Sequence, residues 1–192
     1  MFRWWHNLRA MEPEGPWRRL TLALAYATEA HLFITSLDQS PFNVGTQVRL
    51  EDFRREQVEA LCRSYGGVPL APEEIDRYYA LVGGHPYLTQ RGLYEMGRRG
   101  QDLAAIDAKA DSEDGPFGGH LRRMGAMLAR NAELCEILRG LLGDERPRAG
   151  EARLTETSFY RLRSAGVLAG DSLSEARPRC GLYARYLKKH LL

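Results

Sequence analysis

The sequence predicts a mainly α-helical protein with short strands, of the α+β class. Apolar residues recur at helical spacing through much of residues 51–142, and glycines and prolines fall where such helices would begin and end. Near the C-terminus, two short apolar runs flank a Gly-Asp-Ser turn, as the strands of a hairpin do. A chain of 192 residues is long enough for one ordinary domain or two small ones.

The first fifty residues combine a short helix, an apolar run and a loop. Residues 4–9 are expected to be the end of a helix, which Pro13 and Pro16 break. Residues 20–26 have the length of a buried strand, although their alanines leave a helix open as the alternative. Residues 36–47 concentrate Ser, Asp, Asn, Gly and Pro, and are predicted to be a loop.

Helices follow from Glu51 onward. Pro72 and Pro86 suit the first turns of two of them, because proline has no backbone N–H that would need a partner there. A further helix is expected at about residues 101–110. The predicted stops are glycines: Gly66-Gly67, Gly83-Gly84, and Gly97 or Gly100.

The order of the predicted elements changes in the last third of the chain. A polar linker is expected at residues 111–119. Farther along the chain, Thr155 could cap a helix that ends before Gly166. Helix, turn, helix, hairpin and helix is the order of a winged helix-turn-helix module. The predicted elements are helices around 121–128, 134–142 and 155–165, hairpin strands at 167–169 and 176–180, and a final amphipathic helix over 183–191.

The composition describes a soluble globular protein, with 44% hydrophobic and 27% charged residues. The longest apolar run, at residues 22–27, is far too short to span a bilayer, and the N-terminus lacks the cleavage site of a signal peptide. The protein is therefore expected to be cytoplasmic and without a membrane partner. Three scattered cysteines form no C-x-x-C pair, so a disulfide framework and structural zinc are not expected. They are predicted to be buried or half-buried thiols: Cys62, Cys135 and Cys180.

Four segments carry the most specific information, and they occur in the order and at the spacing of one family. Together they resemble bacterial AAA-like ATPases of the signal-transducing STAND type, from Trp4 to about Tyr186. The segments are Ala27-Thr28-Glu29 after the apolar run, Asp-Gln-Ser-Pro-Phe-Asn-Val-Gly at 38–45, Val-Gly-Gly-His-Pro-Tyr-Leu at 82–88, and Pro-Arg-Cys-Gly-Leu-Tyr at 178–183.

The resemblance implies a fold in three parts. Residues 1–50 would be the remnant of a nucleotide-binding sheet with its sensor strand, residues 51–115 a helical lid, and residues 116–192 a winged helix-turn-helix. The nucleotide-sensing residues that it implies are Thr28, Phe42, Asn43, Gly84, His85 and Pro86.

Each implied role has a physical reason and a plainer alternative. The hydroxyl of Thr28, at the sensor position, could donate to a phosphate oxygen, or the residue could simply end a strand. The lid motif places a rigid proline against the adenine ring, but a purely structural corner between helices would use the same residues. Phe42 and Asn43 resemble the hinge between sheet and lid, where base contacts are also made, and Phe42 could equally be core.

The chain departs from the family in one important respect. It contains no G-x-x-x-x-G-K-[ST] phosphate loop, and no residue is assigned a catalytic or metal-binding role. We therefore expect a regulatory and interaction fragment that is not an enzyme by itself and that would bind ATP or ADP with Mg²⁺ only when the missing half is supplied. Its expected partner is that half or another protein domain, with self-association as the alternative. The apolar residues Phe2, Trp4, Trp5 and Trp17 motivate this expectation.

A winged-helix regulator that binds DNA is the second hypothesis. Residues 146–192 carry a net charge of +6, whereas residues 1–145 carry −4. Arg161 and Arg163 on the presumed third helix are the candidate nucleic-acid contacts. A basic segment can also be a solvated face or meet an acidic partner, and only weak, salt-sensitive DNA binding is expected.

Overall fold

The computed structural model describes residues 2–21, 23, 46, 48, 50–65, 68–143 and 153–192. It divides into two compact units, Met1–Leu50 and Glu51–Leu192. The described elements are mostly helices, and the described strands form one two-stranded antiparallel sheet. The predicted fold class, mainly α with short strands, is confirmed.

The first unit contains helix α1, Phe2–Met11, and a 3₁₀ turn, Pro16–Arg19. The ring of Trp17 stacks on Trp5 with 5.9 Å between centres and meets Trp4 edge-on at 6.3 Å. Arg9 Nε donates to the carbonyl oxygen of Trp17 at 3.1 Å, which ties the turn to the helix. The predicted helix before Pro13 is confirmed, whereas the predicted strand at residues 20–26 lies largely outside the described residues.

The second unit begins with helices α2 to α7 and ends with a helix, a hairpin and a helix. The elements are α2 Arg55–Ser64, α3 Pro72–Val82, α4 Pro86–Arg99, α5 Leu103–Ala108, α6 Gly118–Leu128, α7 Ala132–Leu142, α8 Glu156–Ser164, β1 Leu168–Ala169, β2 Arg177–Pro178 and α9 Gly181–Leu191. None of the helices in the described part of the chain is long and apolar enough to cross a membrane.

Local chemistry explains most of these helix ends. Prolines occupy the first turns of α3 and α4, as the sequence predicts. Gly83 and Gly100 follow those helices in the left-handed conformation, with φ of 61° and 65°. The Asn131 side chain accepts the N–H of Leu134 at 3.1 Å at the start of α7, and the Thr155 hydroxyl caps α8 as predicted.

The core of the second unit is continuous from α2 to α9. α7 packs on α9, α2 packs on α3, and α3 also packs on α9. Buried side chains on both sides of residue 115 belong to this one core, so the predicted division at that residue stays a prediction. Its largest fully buried side chains are Tyr78, Phe117, Phe159, Leu88, Leu93, Ile106, Leu121, Leu138, Leu162, Leu168, Leu182 and Leu187.

The predicted hairpin forms, with strands shorter than expected. Leu168 pairs with Pro178 and Ala169 with Arg177, in antiparallel register. Between them the chain passes Gly170, whose φ of 124° favours glycine, and a 3₁₀ turn at Leu173–Glu175. The predicted thiols are confirmed, because Cys62 and Cys180 are buried, Cys135 is half-buried and all three are free.

Candidate functional site

The turn between α3 and α4, Gly83–Pro86, is the centre of the candidate site, and we call it the Gly-Gly-His-Pro corner. Both glycines have positive φ, 61° and 70°. A Cβ atom on Gly84 would lie 1.9 Å from the carbonyl oxygen of Phe53, and one on Gly83 would lie 2.7 Å from the Cβ of Cys180. The Phe53 N–H donates to the Gly84 carbonyl at 2.8 Å. Glycine is therefore required because the backbone of the chain itself presses on the corner from two sides.

An ion pair joins the two segments that contact the corner. Arg179 Nε donates to Asp52 Oδ2 at 2.9 Å, and Arg179 Nη2 donates to Asp52 Oδ1 at 2.6 Å. Such a forked pair is stronger and more directional than a single contact. The Arg179 backbone N–H also donates to the carbonyl of Val167 at 3.0 Å, next to β1. The segment before α2, the corner and the C-terminal hairpin are thus fixed to one another.

Four rings cover the start of α4, and we call them the aromatic cluster: His85, Tyr87, His120 and Tyr183. Tyr87 stacks on His120, with 5.1 Å between centres and 26° between planes. His120 Nε2 lies 2.6 Å from the Tyr183 hydroxyl oxygen. Because the His120 and Tyr183 centres are 5.8 Å apart in nearly parallel planes, this short contact places the two rings side by side rather than face to face. The His85 ring stands edge-on to His120 and to Tyr183, with 5.5 and 6.1 Å between the ring centres.

The surroundings of both imidazoles favour the neutral form of the ring. Burial and the nearby positive charge of Arg179 lower the pKa of His85 to about 4. Burial also lowers the pKa of His120, with Arg123 and Arg179 adding to the effect. His85 Nδ1 is buried and has no hydrogen-bond partner among the described residues. This ring nitrogen therefore has unused hydrogen-bonding capacity, because a neutral imidazole nitrogen can donate or accept.

Half of the predicted nucleotide-sensing residues can be placed. Gly84, His85 and Pro86 lie together at the corner, where Pro86 is exposed and begins α4. Thr28 and the predicted hinge pair, Phe42 and Asn43, lie outside the described residues. Their predicted roles stay predictions.

Other residues of the site were not predicted. Arg179 and Tyr183 belong to the segment 178–183, so its motif was the available signal, but it gave no hint of a contact with residues 83–85. Asp52 and His120 carry no motif at all. Their positions result from packing, which a single sequence does not show.

The two predicted nucleic-acid residues both lie on α8, and their role stays a prediction. Arg161 is exposed on α8, two residues from Arg163 and therefore on a different side of the helix. The Arg163 side chain is only 19% exposed and lies 3.5 Å from Asp171 in an ion pair. Leu162 between them is fully buried. In the part of the chain that the structure describes, no three His, Cys, Asp or Glu side chains gather where they could hold a metal ion.

Comparison with known proteins gives one match. The profile of a protein family described as an AAA-like domain matches residues 1–189. No curated protein and no solved structure matches the chain. The family match spans the Gly-Gly-His-Pro corner, the Asp52–Arg179 ion pair and the aromatic cluster.

Proposed function

The chain belongs to the AAA-like domain family, and from this premise we propose that it is the nucleotide-sensing lid and relay module of a STAND-type ATPase. The observation that carries the proposal is the contact between the Gly-Gly-His-Pro corner and the segment 178–183. In the sequence the two motifs are about a hundred residues apart, yet a Cβ on Gly83 would meet Cys180 at 2.7 Å. A displacement of the corner by a nucleotide would therefore have to move the C-terminal hairpin or break the contact.

The corner has features that suit a purine base. Pro86 presents a rigid, exposed apolar ring at the start of α4. His85 Nδ1 has no hydrogen-bond partner in the described part of the chain, and because it is buried, a base edge would bond to it only once the corner moves. ATP or ADP with Mg²⁺ is the proposed ligand. Thr28, Phe42 and Asn43 are proposed to complete its sensor and hinge contacts.

We further propose that these 192 residues do not hydrolyse ATP by themselves. The sequence contains no G-x-x-x-x-G-K-[ST] motif, so the lysine and the hydroxyl that would hold phosphate and metal are missing from it. Phosphoryl transfer depends mainly on such charges. A phosphate-loop segment, in the same or another chain, is the proposed source. Such a motif encoded in frame ahead of Met1 would agree with the proposal.

The first unit is the proposed contact for that partner or for a second copy. Trp4 is 58% exposed, Met11 76% and Leu20 38%, so a described unit of few residues presents large apolar side chains to solvent. Sedimentation velocity over a range of concentrations tests this. A strict monomer in which Trp4, Trp5 and Trp17 all resist fluorescence quenching would contradict it.

ADP titration tests the nucleotide site. Pro86→Ala and Pro72→Ala form a matched pair, since each removes a proline from the first turn of a helix. With a phosphate-loop segment present, Pro86→Ala should weaken ADP binding at least about tenfold, the scale of one lost binding contact of about 1.4 kcal/mol. Pro72→Ala should leave the ADP affinity unchanged.

Hydrogen exchange gives the independent readout. ADP should slow amide exchange at residues 82–88 and at 178–183, because the two segments are in contact. ADP binding that protects neither segment, or that both proline variants weaken equally, would refute the proposed lid.

A winged-helix module that binds DNA is the second candidate. The order of α7, α8, the β1–β2 hairpin and α9 supports a winged helix, and the exposed Arg161 on α8 together with the basic tail favours nucleic-acid contact. The ion pair of Arg163 with Asp171 argues for weak binding. A sequence-selective footprint that survives moderate salt and disappears in Arg161→Ala would favour DNA binding over the relay function.

A further inference from the structure

One side of α4 carries a stripe in which tyrosines alternate with arginines, all of them exposed except the half-buried Arg91. Tyr87, Arg91, Tyr94 and Arg98 follow one another at spacings of four, three and four residues, so they lie along one side of the helix. Tyr87 is 42% exposed and Tyr94 is 37% exposed. With a rise of about 1.5 Å per residue, the stripe is roughly 16 Å long. We call these four residues the Tyr-Arg stripe.

Contacts within the protein hold the stripe in place. The guanidinium carbons of Arg91 and Arg99 lie 5.5 and 5.9 Å from the ring centre of Tyr94, within the range of cation–π attraction. Arg91 Nε donates to the carbonyl of Pro116 at 3.1 Å, and Tyr87 stacks on His120. Side chains ordered beforehand lose less conformational freedom when a partner binds.

The stripe is also positively charged. Glu95 is the one carboxylate in α4, and it is 1% exposed, with Arg91 at 2.6 Å and Arg99 at 3.6 Å in ion pairs. The charged groups that α4 presents to solvent are therefore guanidinium groups. The positive surface continues onto the exposed Arg123 of α6, three residues after His120. Among the described residues, neither Arg98 nor Arg123 forms an ion pair.

We propose that the Tyr-Arg stripe is a docking surface for an acidic, amphipathic helix of a partner protein. Tyr and Arg are among the side chains that contribute most to protein interfaces, and a guanidinium group binds a carboxylate through two parallel hydrogen bonds. A facing helix whose apolar residues alternate at spacings of three and four residues would present them in a row along the stripe. Single-stranded nucleic acid fits less well, because two guanidinium groups already lie over Tyr94, and only the Tyr87 ring remains for a stacked base.

Fluorescence anisotropy with synthetic probes tests this surface on the full chain. The probe is a labelled helical peptide of about five turns, with leucine at the a and d positions and glutamate at e and g. Tyr94→Ala should weaken its binding at least about tenfold, and Arg98→Glu at least about threefold at low salt. Arg161→Glu, the same charge change on the exposed side of α8, is the matched control and should leave binding unchanged. Far-UV circular dichroism should show native helix content for each variant, because all three side chains are exposed or nearly so.

Four results would overturn the proposal. The acidic peptide could fail to saturate at millimolar protein. A peptide with lysine in place of glutamate could bind equally well, or the Arg161→Glu control could lose as much affinity as Arg98→Glu. Tighter binding of an oligothymidine that Tyr94→Ala abolishes would assign the stripe to nucleic acid instead.

Discussion

Removing either partner of the Asp52–Arg179 ion pair should destabilise the unit Glu51–Leu192. The pair joins residues that are 127 positions apart, and it fixes the backbone on both sides of the Gly-Gly-His-Pro corner. Arg179→Ala leaves a half-buried carboxylate without its two donors, and Asp52→Ala leaves a half-buried guanidinium without its acceptor. Each substitution lowers the free energy of unfolding by more than the intact pair contributes to it. The reason is that the remaining charge has lost the interactions that offset its desolvation.

The structure sets the size of the effect. The two side chains are 26% and 27% exposed, so the pair lies between the exposed and the buried classes. Exposed pairs contribute at most about 1 kcal/mol, whereas breaking a fully buried pair costs about 3–5 kcal/mol. We therefore expect each single alanine variant to lower the free energy of unfolding by about 2 kcal/mol. The coupling energy in a double-mutant cycle should be about 1–1.5 kcal/mol.

Urea unfolding followed by far-UV circular dichroism measures these energies for the wild type, both single variants and the double variant. The Arg77–Asp107 pair is the control, since its atoms are 3.4 Å apart and its side chains are 57% and 32% exposed. Its coupling energy should stay below about 0.5 kcal/mol. Arg179→Lys should recover only part of the stability, because an ammonium group cannot form the fork. A coupling energy no larger than that of the control pair would refute the reasoning.

Three further predictions concern a glycine substitution, the pH dependence of stability and ATP turnover. Gly84→Ala should lower the free energy of unfolding by at least about 3 kcal/mol or prevent folding, because its Cβ would lie 1.9 Å from the Phe53 carbonyl oxygen at a φ of 70°. Gly100→Ala is the control, since Gly100 has a φ of 65° and open space around it. This control should lower the free energy of unfolding by about 1 kcal/mol in the same urea assay. Since His85 and His120 have lowered pKa values in the folded state, the unfolded chain binds more protons below pH 6.5, and stability should fall from that pH toward about pH 4. A His85→Gln variant should flatten this profile, and an unchanged profile would contradict it. The purified 192-residue chain should release no phosphate from ATP above background, and turnover that a substitution in its own sequence abolishes would contradict that expectation.

Local sequence signals determined much of the helical framework. Pro72 and Pro86 start helices where their missing N–H costs nothing, and Gly83 and Gly100 end them because a left-handed turn favours glycine. The hairpin was predicted from its turn residues, although its strands are only two residues long. These features depend on a few neighbouring residues, so they can be predicted without tertiary contacts. The motifs likewise placed the chain among AAA-like domains, as the family match over residues 1–189 confirms.

Only the tertiary structure decided what surrounds the corner. The sequence indicated Gly84, His85 and Pro86, but not that other segments of the chain itself press on the two glycines. Asp52 and His120 join the site through contacts with residues 127 and 63 positions away, which only the packing of α2 to α9 on one core brings together. Burial then lowers the pKa of His85 and leaves its Nδ1 without a partner among the described residues. Such properties depend on desolvation and long-range contact, and a pattern read along a single chain contains neither.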